Sequence, residues 1–136
     1  MPELPDVTVY IEALEARVVG RLLERVKLLN PFLLRTAVPP ISSAEGKRVT
    51  EVRRIGKRIV FVLEGPLYLV LHLMIAGRLR WVAPGKKPPN TLALLEFDSG
   101  VLAFTEAGTK RRASLHLLSS LDGVDPGVTS VGTRRS

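Results

Sequence analysis

From residue 48 to residue 118 the chain keeps one cadence: a short apolar run, then a break rich in glycine, proline, asparagine or aspartate. The runs are Arg48–Arg54, Arg58–Leu63, Leu67–Leu73, Gly77–Val82, Leu92–Phe97, Val101–Thr105 and Leu115–Leu118. None reaches the roughly 10–12 residues a buried helix needs, whereas short strands at regular spacing pack as antiparallel sheets. Asp98-Ser99-Gly100, a glycine-containing turn between two apolar runs, predicts a tight hairpin. Upstream, Arg21–Leu29 reads as one more strand, closed by Asn30-Pro31. Pro31–Pro40 holds three prolines and suits a surface loop, because proline cannot donate to a ladder. Ser42–Gly46 predicts a single helical turn.

Only the start of the chain breaks this grain. Val7, Ile11, Leu14 and Val18 recur at spacings of 4, 3 and 4, which is one face of a helix. Asp6 sits at its N-cap or first turn and Gly20 where it stops. The expected fold is mainly β with α: an antiparallel β-sandwich or pseudo-barrel preceded by one long N-terminal helix. At 136 residues one domain is expected, covering 1–118, with 119–136 as a linker or disordered tail rich in Gly, Ser, Thr and Asp.

Composition narrows the chemistry. With no cysteine, a disulfide scaffold, a thiolate zinc site and a cysteine nucleophile are all excluded. The acidic, proline-bearing N-terminus lacks the basic and apolar regions of a signal peptide, and no apolar run is long enough to span a bilayer. A cytoplasmic, nucleoid-associated protein without a membrane partner is expected. Twenty Lys and Arg against thirteen Asp and Glu give a net charge of +7, which favours a polyanion and nucleic acid first.

Several residues can carry chemistry. Pro2 becomes a free secondary amine once Met1 is removed, and an α-amino group is far less basic than lysine, so it can attack a carbonyl-like carbon. Glu3 beside it can act as general acid or base. Lys47, Arg48, Arg53, Arg54, Lys57 and Arg58 place six cations in twelve residues, with Gly56 turning the chain beside Lys57. Alternation along a strand forbids them from sharing one face, but the turn can present Lys57 to a phosphate. Arg78 and Arg80 alternate with Leu79 and Trp81 and so share a face, while Lys110-Arg111-Arg112 follows Gly108-Thr109 in a loop able to meet a nucleic-acid backbone. His72 lies in an apolar strand, and two histidines without cysteine make no metal site.

Together these segments resemble the formamidopyrimidine-DNA glycosylase and endonuclease VIII family. Met1-Pro2-Glu3-Leu4-Pro5-Asp6-Val7 is similar to its N-terminus, Arg53-Arg54-Ile55-Gly56-Lys57-Arg58 to its Arg-Arg-x-Gly-Lys pattern, and His72-Leu73-Met74-Ile75-Ala76-Gly77 to a family strand reading roughly His-Leu-Gly-Met-Ser-Gly. The resemblance runs to about Leu118. It implies base-excision repair, with Pro2 attacking C1′ of a damaged nucleotide, Glu3 protonating the opening sugar and Lys57 contacting phosphate and lesion. His72, Arg78, Lys110, Arg111 and Arg112 would bind DNA, and Met74 or Ile75 would fill the gap left by the flipped base.

Three departures accompany the likeness. The family's second glutamate is Asp6, its Arg-Arg-Phe-Gly loop is Lys110-Arg111-Arg112-Ala113 without the phenylalanine wedge, and either Arg111 or Arg112 aligns with the orphan-base arginine. The family's helix–two-turn–helix and zinc finger are not in these residues, so the chain reads as an isolated N-terminal domain with no cofactor of its own and impaired activity. The expected partner is double-stranded DNA with an oxidised base or abasic site. A homodimer could cover apolar surface left by the missing domain. The second reading is a non-catalytic DNA-binding module using the same basic surface.

Overall fold

The structure is a computed structural model that describes residues 7–55, 58–74, 76–108 and 112–120, with only the backbone of residues 7–10. Residues 121–136 of the tail expected at 119–136, and the cap at Asp6, lie outside these residues.

One helix, α1 (Val7–Val18), opens the described chain. Its 12 residues are an ordinary length, so the long helix expected from the sequence is a correction: Gly20, at φ +85°, ends it, and the next residues enter a strand. Leu14 and Val18 are buried and Ile11 packs beside them, the face that the spacing predicted.

Eight strands follow: β1 (Leu22–Leu28), β2 (Lys47–Ile55), β3 (Arg58–Leu63), β4 (Leu67–His72), β5 (Gly77–Val82), β6 (Thr91–Phe97), β7 (Gly100–Glu106) and β8 (Ser114–Leu118). The loop between β1 and β2 contains two short 3-10 turns, at Pro31–Leu33 and Ile41–Ala44; the first is capped by the Asn30 side chain accepting from the Phe32 N–H at 2.9 Å. The strands pair antiparallel in the order β5-β7-β6-β1-β2-β3-β4-β8. The predicted hairpin is there, with Phe97 opposite Gly100 across Asp98-Ser99.

The strand order does not close into a barrel, since β5 and β8 lie at opposite ends of it. The sheet nevertheless curls strongly. Phe61 of β3 and Phe97 of β6 are three strand intervals apart, about 14 Å on a flat sheet. Their ring centroids are 6.2 Å apart, meeting edge to face. The curl sits between β1 and β2, which pair only at Leu22–Arg48 and Leu23–Lys47 and whose outer ladders both shift register nearby, at Leu23/Arg25 and Val49/Glu51. Such bulges bend strands.

One core therefore serves both halves: Phe61, Leu69, Leu71 and Leu115 from one meet Leu95, Phe97, Leu102 and Phe104 from the other, with α1 at the side. β3 is apolar on both faces because its outer residues Val60 and Val62 join Ile55 and Val70 in a second small cluster. Trp81 stacks on Phe97 at 6.1 Å, and the Arg17 guanidinium lies 5.3 Å over the Trp81 ring. Gly100 is required at that point, because a Cβ there would meet a Trp81 ring carbon at 2.5 Å.

Candidate functional site

Segments far apart in sequence come out at one end of the sheet. Arg58 at the start of β3 pairs with Ile55 at the end of β2 and with His72 at the end of β4. His72 in turn pairs with Ser114 at the start of β8, and Gly77 at the start of β5 pairs with Glu106 at the end of β7. The chain thus leaves β2 for β3, β4 for β5 and β7 for β8 at the same edge of the fold. The last two of these connections cross between the halves of the curled sheet.

Two local structures hold these crossings. After His72, the Gly77 N–H donates to the Leu73 carbonyl at 2.9 Å, closing a tight turn. A Cβ on Gly77 would lie 2.3 Å from that carbonyl oxygen. Met74 is in the left-handed region at φ 58°, where the family pattern has glycine, and is exposed. This places Met74 at the conformationally demanding position of the turn. Because a non-glycine residue in that region costs roughly 1–2 kcal/mol, Met74→Gly should raise stability by about 1 kcal/mol even after glycine's greater chain entropy, whereas Met74→Ala should not. Thermal unfolding checks it, and a Tm for Met74→Gly at or below that of the parent chain would refute the strain.

The second crossing hangs on Glu106. This carboxylate is 1% exposed, and its Oε2 accepts from the Arg112 and Ala113 N–H groups, each at 2.9 Å. Its backbone N–H donates to the Asn90 carbonyl at 3.0 Å, anchoring it to the loop before β6. Arg112 can turn to water if the carboxylate is lost, but the buried Ala113 amide cannot. Glu106→Ala should therefore cost about 2–3 kcal/mol, with Glu106→Gln in between because it keeps one acceptor. Urea unfolding would measure the loss and hydrogen exchange at Ala113 its location; an Ala113 amide equally protected in both variants would sink the assignment.

The expected site residues fall as follows. His72 is half-buried at the end of β4, Arg78 and Arg112 are exposed, and Arg78 Nη1 donates to the Gly77 carbonyl at 2.7 Å. Arg78 and Arg80 share the exposed face of β5 as expected, with Leu79 turned inward. Pro2, Glu3, Lys57, Ile75, Lys110 and Arg111 lie outside the described residues. The described neighbours of Lys57, Ile75 and Arg111, which are Arg58, Met74 and Arg112, all belong to this end of the fold.

The sequence reading misses three contributors: Glu106, Arg35 and His116. Glu106 lies one residue beyond the predicted run Val101–Thr105, and no spacing rule marks a buried carboxylate. His116 shares a face with Ser114 by alternation, its Nε2 lying 3.3 Å from the Ser114 Oγ. Burial pushes the His116 pKa below its ordinary 6.5, and the nearby Arg35, Arg58 and His72 push it further the same way. That surplus of positive potential suits an anion. Among the described residues no three metal-binding side chains converge, and the chain has no cysteine, so these residues do not fit the family's zinc.

Residues 1–113 match the family model described as the formamidopyrimidine-DNA glycosylase N-terminal domain. The chain belongs to this family. It is 38% identical over 109 residues to the formamidopyrimidine-DNA glycosylase of Solibacter usitatus, covering 79% of this chain and 40% of that one. With the enzyme of Symbiobacterium thermophilum it is 34% identical over 137 residues, covering 97% and 44%. The crystal structure of the MutM (Fpg) protein from Thermus thermophilus superimposes with a TM-score of 0.72 at 31% identity, covering 90% of this chain and 43% of that one. A Lactococcus lactis Fpg in complex with DNA containing Fapy-dG shares the fold, with a TM-score of 0.76 at 22% identity over 85% of this chain and 44% of that one. The chain thus spans less than half the length of the relatives it matches.

Proposed function

We propose that this chain is the catalytic N-terminal domain of a base-excision-repair DNA glycosylase with abasic-site lyase chemistry, acting on double-stranded DNA. The observation that carries it is the cross-strand row Arg58–His72–Ser114. By this row the Arg53–Arg58 motif, the His72–Gly77 segment and the basic 107–113 crossing share one end of a curled sheet. The curl of the open sheet and the core shared by its halves support the sandwich or pseudo-barrel of this reading. A basic end with an amine-bearing N-terminus suits chemistry on a nucleotide drawn out of the stack.

In the proposed reaction the Pro2 nitrogen lone pair bonds to C1′ and the C1′–N bond to the damaged base breaks. The base leaves with the electron pair and takes up the proton that the Pro2 nitrogen sheds, which restores the nitrogen lone pair. Glu3 protonates the ring oxygen as the sugar opens, and the nitrogen lone pair forms the C1′ iminium. That cation acidifies C2′; loss of its proton expels the 3′ phosphate and nicks the strand, and water then hydrolyses the iminium and frees Pro2. Lys57 and His72 hold the flanking backbone. Met74 or Ile75 occupies the space the base vacates. The exposed Met74 side chain, on a turn closed by Gly77, favours Met74.

The test is borohydride trapping on a duplex with one abasic site, at low salt, using untagged protein whose loss of Met1 is verified by mass. A covalent adduct is the expected result. A gel shift without an adduct would favour a non-catalytic DNA-binding module, and neither shift nor adduct would overturn the reading for this chain.

A further inference from the structure

The outer face of β3, β4 and β8 carries a cluster of which the proposed chemistry uses only the His72 margin. Read across the strands, its rows are Arg58, His72 and Ser114, then Val60, Val70 and His116, then Val62, Tyr68 and Leu118. Val60 and Val70 are buried and give the cluster an apolar floor. On the far side of β8, residues 34–36 are laid along the strand. Leu34 bridges Leu115 in parallel, the Arg35 N–H donates to the Leu115 carbonyl at 2.9 Å, and the Leu117 N–H donates to Thr36 Oγ1 at 3.0 Å. Arg35 Nε donates to the Phe32 carbonyl at 2.9 Å, which steadies the guanidinium.

Basic side chains from three different elements thus surround the half-buried His116: Arg35 from the β1–β2 loop, Arg58 from β3 and His72 from β4. On β2 the same face presents Arg53, paired with Glu51 at 3.0 Å, and Ile55. Among the described residues neither Arg35 nor Arg58 forms an ion pair with a carboxylate. Two guanidinium groups held near one another, neither paired with a carboxylate among the described residues, favour a ligand that supplies an anion.

We propose that Arg35, Arg58, His116 and the Ser114 hydroxyl, adjoining His72, form a second phosphate-binding site that grips the DNA backbone on the outer face of β8. This rests on the DNA-binding reading and extends its footprint away from the catalytic end. Arg58 and His72 border both surfaces, while Arg35 and His116 belong to the new one alone. Arg35 offers a forked donor and Ser114 a rotatable one, and His116 donates from one ring nitrogen or, once protonated, from both. Free inorganic phosphate carries the same chemistry as a backbone diester, and the test separates them.

The sign of the proton linkage follows from the charges. In free protein burial first, and then Arg35, Arg58 and His72, disfavour the imidazolium. A phosphate beside the ring favours it, so His116 takes up protons when DNA binds and affinity rises as pH falls. The experiment is an NMR pH titration of the His116 ring with a random-sequence duplex and with inorganic phosphate, paired with anisotropy binding across salt for the parent chain, Arg35→Ala and His116→Gln. The expected results are a His116 pKa raised by the duplex, a salt slope about 0.9 shallower in Arg35→Ala, and a flatter pH dependence of affinity in His116→Gln. Duplex binding with an unmoved His116 pKa and unchanged slopes would overturn this site while leaving the DNA reading intact. A ring that responds to inorganic phosphate but not to the duplex would make it a free-phosphate site and overturn the backbone assignment. A parent chain that binds no duplex at low salt would overturn both.

Discussion

An uncleaved N-terminal extension should erase the borohydride-trapped adduct while leaving duplex binding intact. The reasoning is chemical. With an α-amino pKa near 8, about one amine in ten is unprotonated at pH 7, against roughly one lysine in 2,000 or fewer. A terminal amine therefore has an advantage of about two orders of magnitude in nucleophile concentration over a lysine of ordinary pKa. An extension turns the Pro2 nitrogen into an amide, whose lone pair is delocalised and cannot attack carbon. It leaves Arg58, His72 and the β8 crossing unaltered. An adduct that persisted on the extended chain would move the nucleophile elsewhere, with Lys57 the first place to look. Loss of binding together with the adduct would show instead that the extension obstructs the DNA surface. Pro2→Gly discriminates less well, because glycine at the terminus keeps a primary amine.

Gly77→Ala should be the most damaging small substitution among the described residues at this end of the fold. The added carbon would meet the Leu73 carbonyl oxygen at 2.3 Å and the Leu73 Cα at 2.9 Å. Both are backbone atoms within the turn that Gly77 itself closes, so no side-chain rotation relieves the collision. Overpacking costs typically about 1–3 kcal/mol, and a backbone clash places this case near 3 or above. The corresponding fall in Tm is roughly 10 °C, together with lost affinity for abasic-site DNA as the turn after β4 is displaced. Gly46→Ala is the informative comparison: Gly46 is left-handed at φ +83° with nothing within 4 Å of its missing Cβ, so it carries conformational strain without collision. It should cost about 1 kcal/mol. Equal losses in the two variants would refute the steric account.

Much of the fold could be read from residues alone, for one physical reason. In a sheet whose strands are short and apolar, glycine and proline mark nearly every end. β3 begins and ends at Arg58 and Leu63 as the breaks require, β5 spans Gly77–Val82, and the Asp98-Ser99 hairpin falls where its turn residues put it. Order within the sheet was not legible. Nothing in the pattern of β5 says that it pairs with β7 rather than with β4, its predecessor, because both pairings bury Leu79. The curl was hidden too, since it depends on register shifts at Leu23/Arg25 and Val49/Glu51 that hydrophobic alternation does not encode. At the site, the basic residues could be seen but their convergence could not: Arg35 and His116 lie far apart in sequence, and the Leu34–Leu115 bridge with the hydrogen bonds beside it makes them neighbours. Glu106 is a further case: no spacing rule marks it, yet it is buried to hold a loop.

Neither half of the curled sheet is a continuous piece of chain. One half takes β1, β5, β6 and β7, the other β2, β3, β4 and β8, so the chain must change sides three times. Removing β8 breaks one half and removing β1 breaks the other, and hairpins such as β3–β4 and β6–β7 are the pieces able to form early from nearby residues. The loops expected to meet DNA span crossings after β4 and β7, and each is pulled into shape only when both of its anchoring strands have found distant partners. Such non-local closure is slow. In a growing polypeptide the capacity to recognise a nucleic acid would therefore arrive last, once residues up to Leu118 have emerged, and a basic nascent chain would meet polyanions only after its sheet was complete.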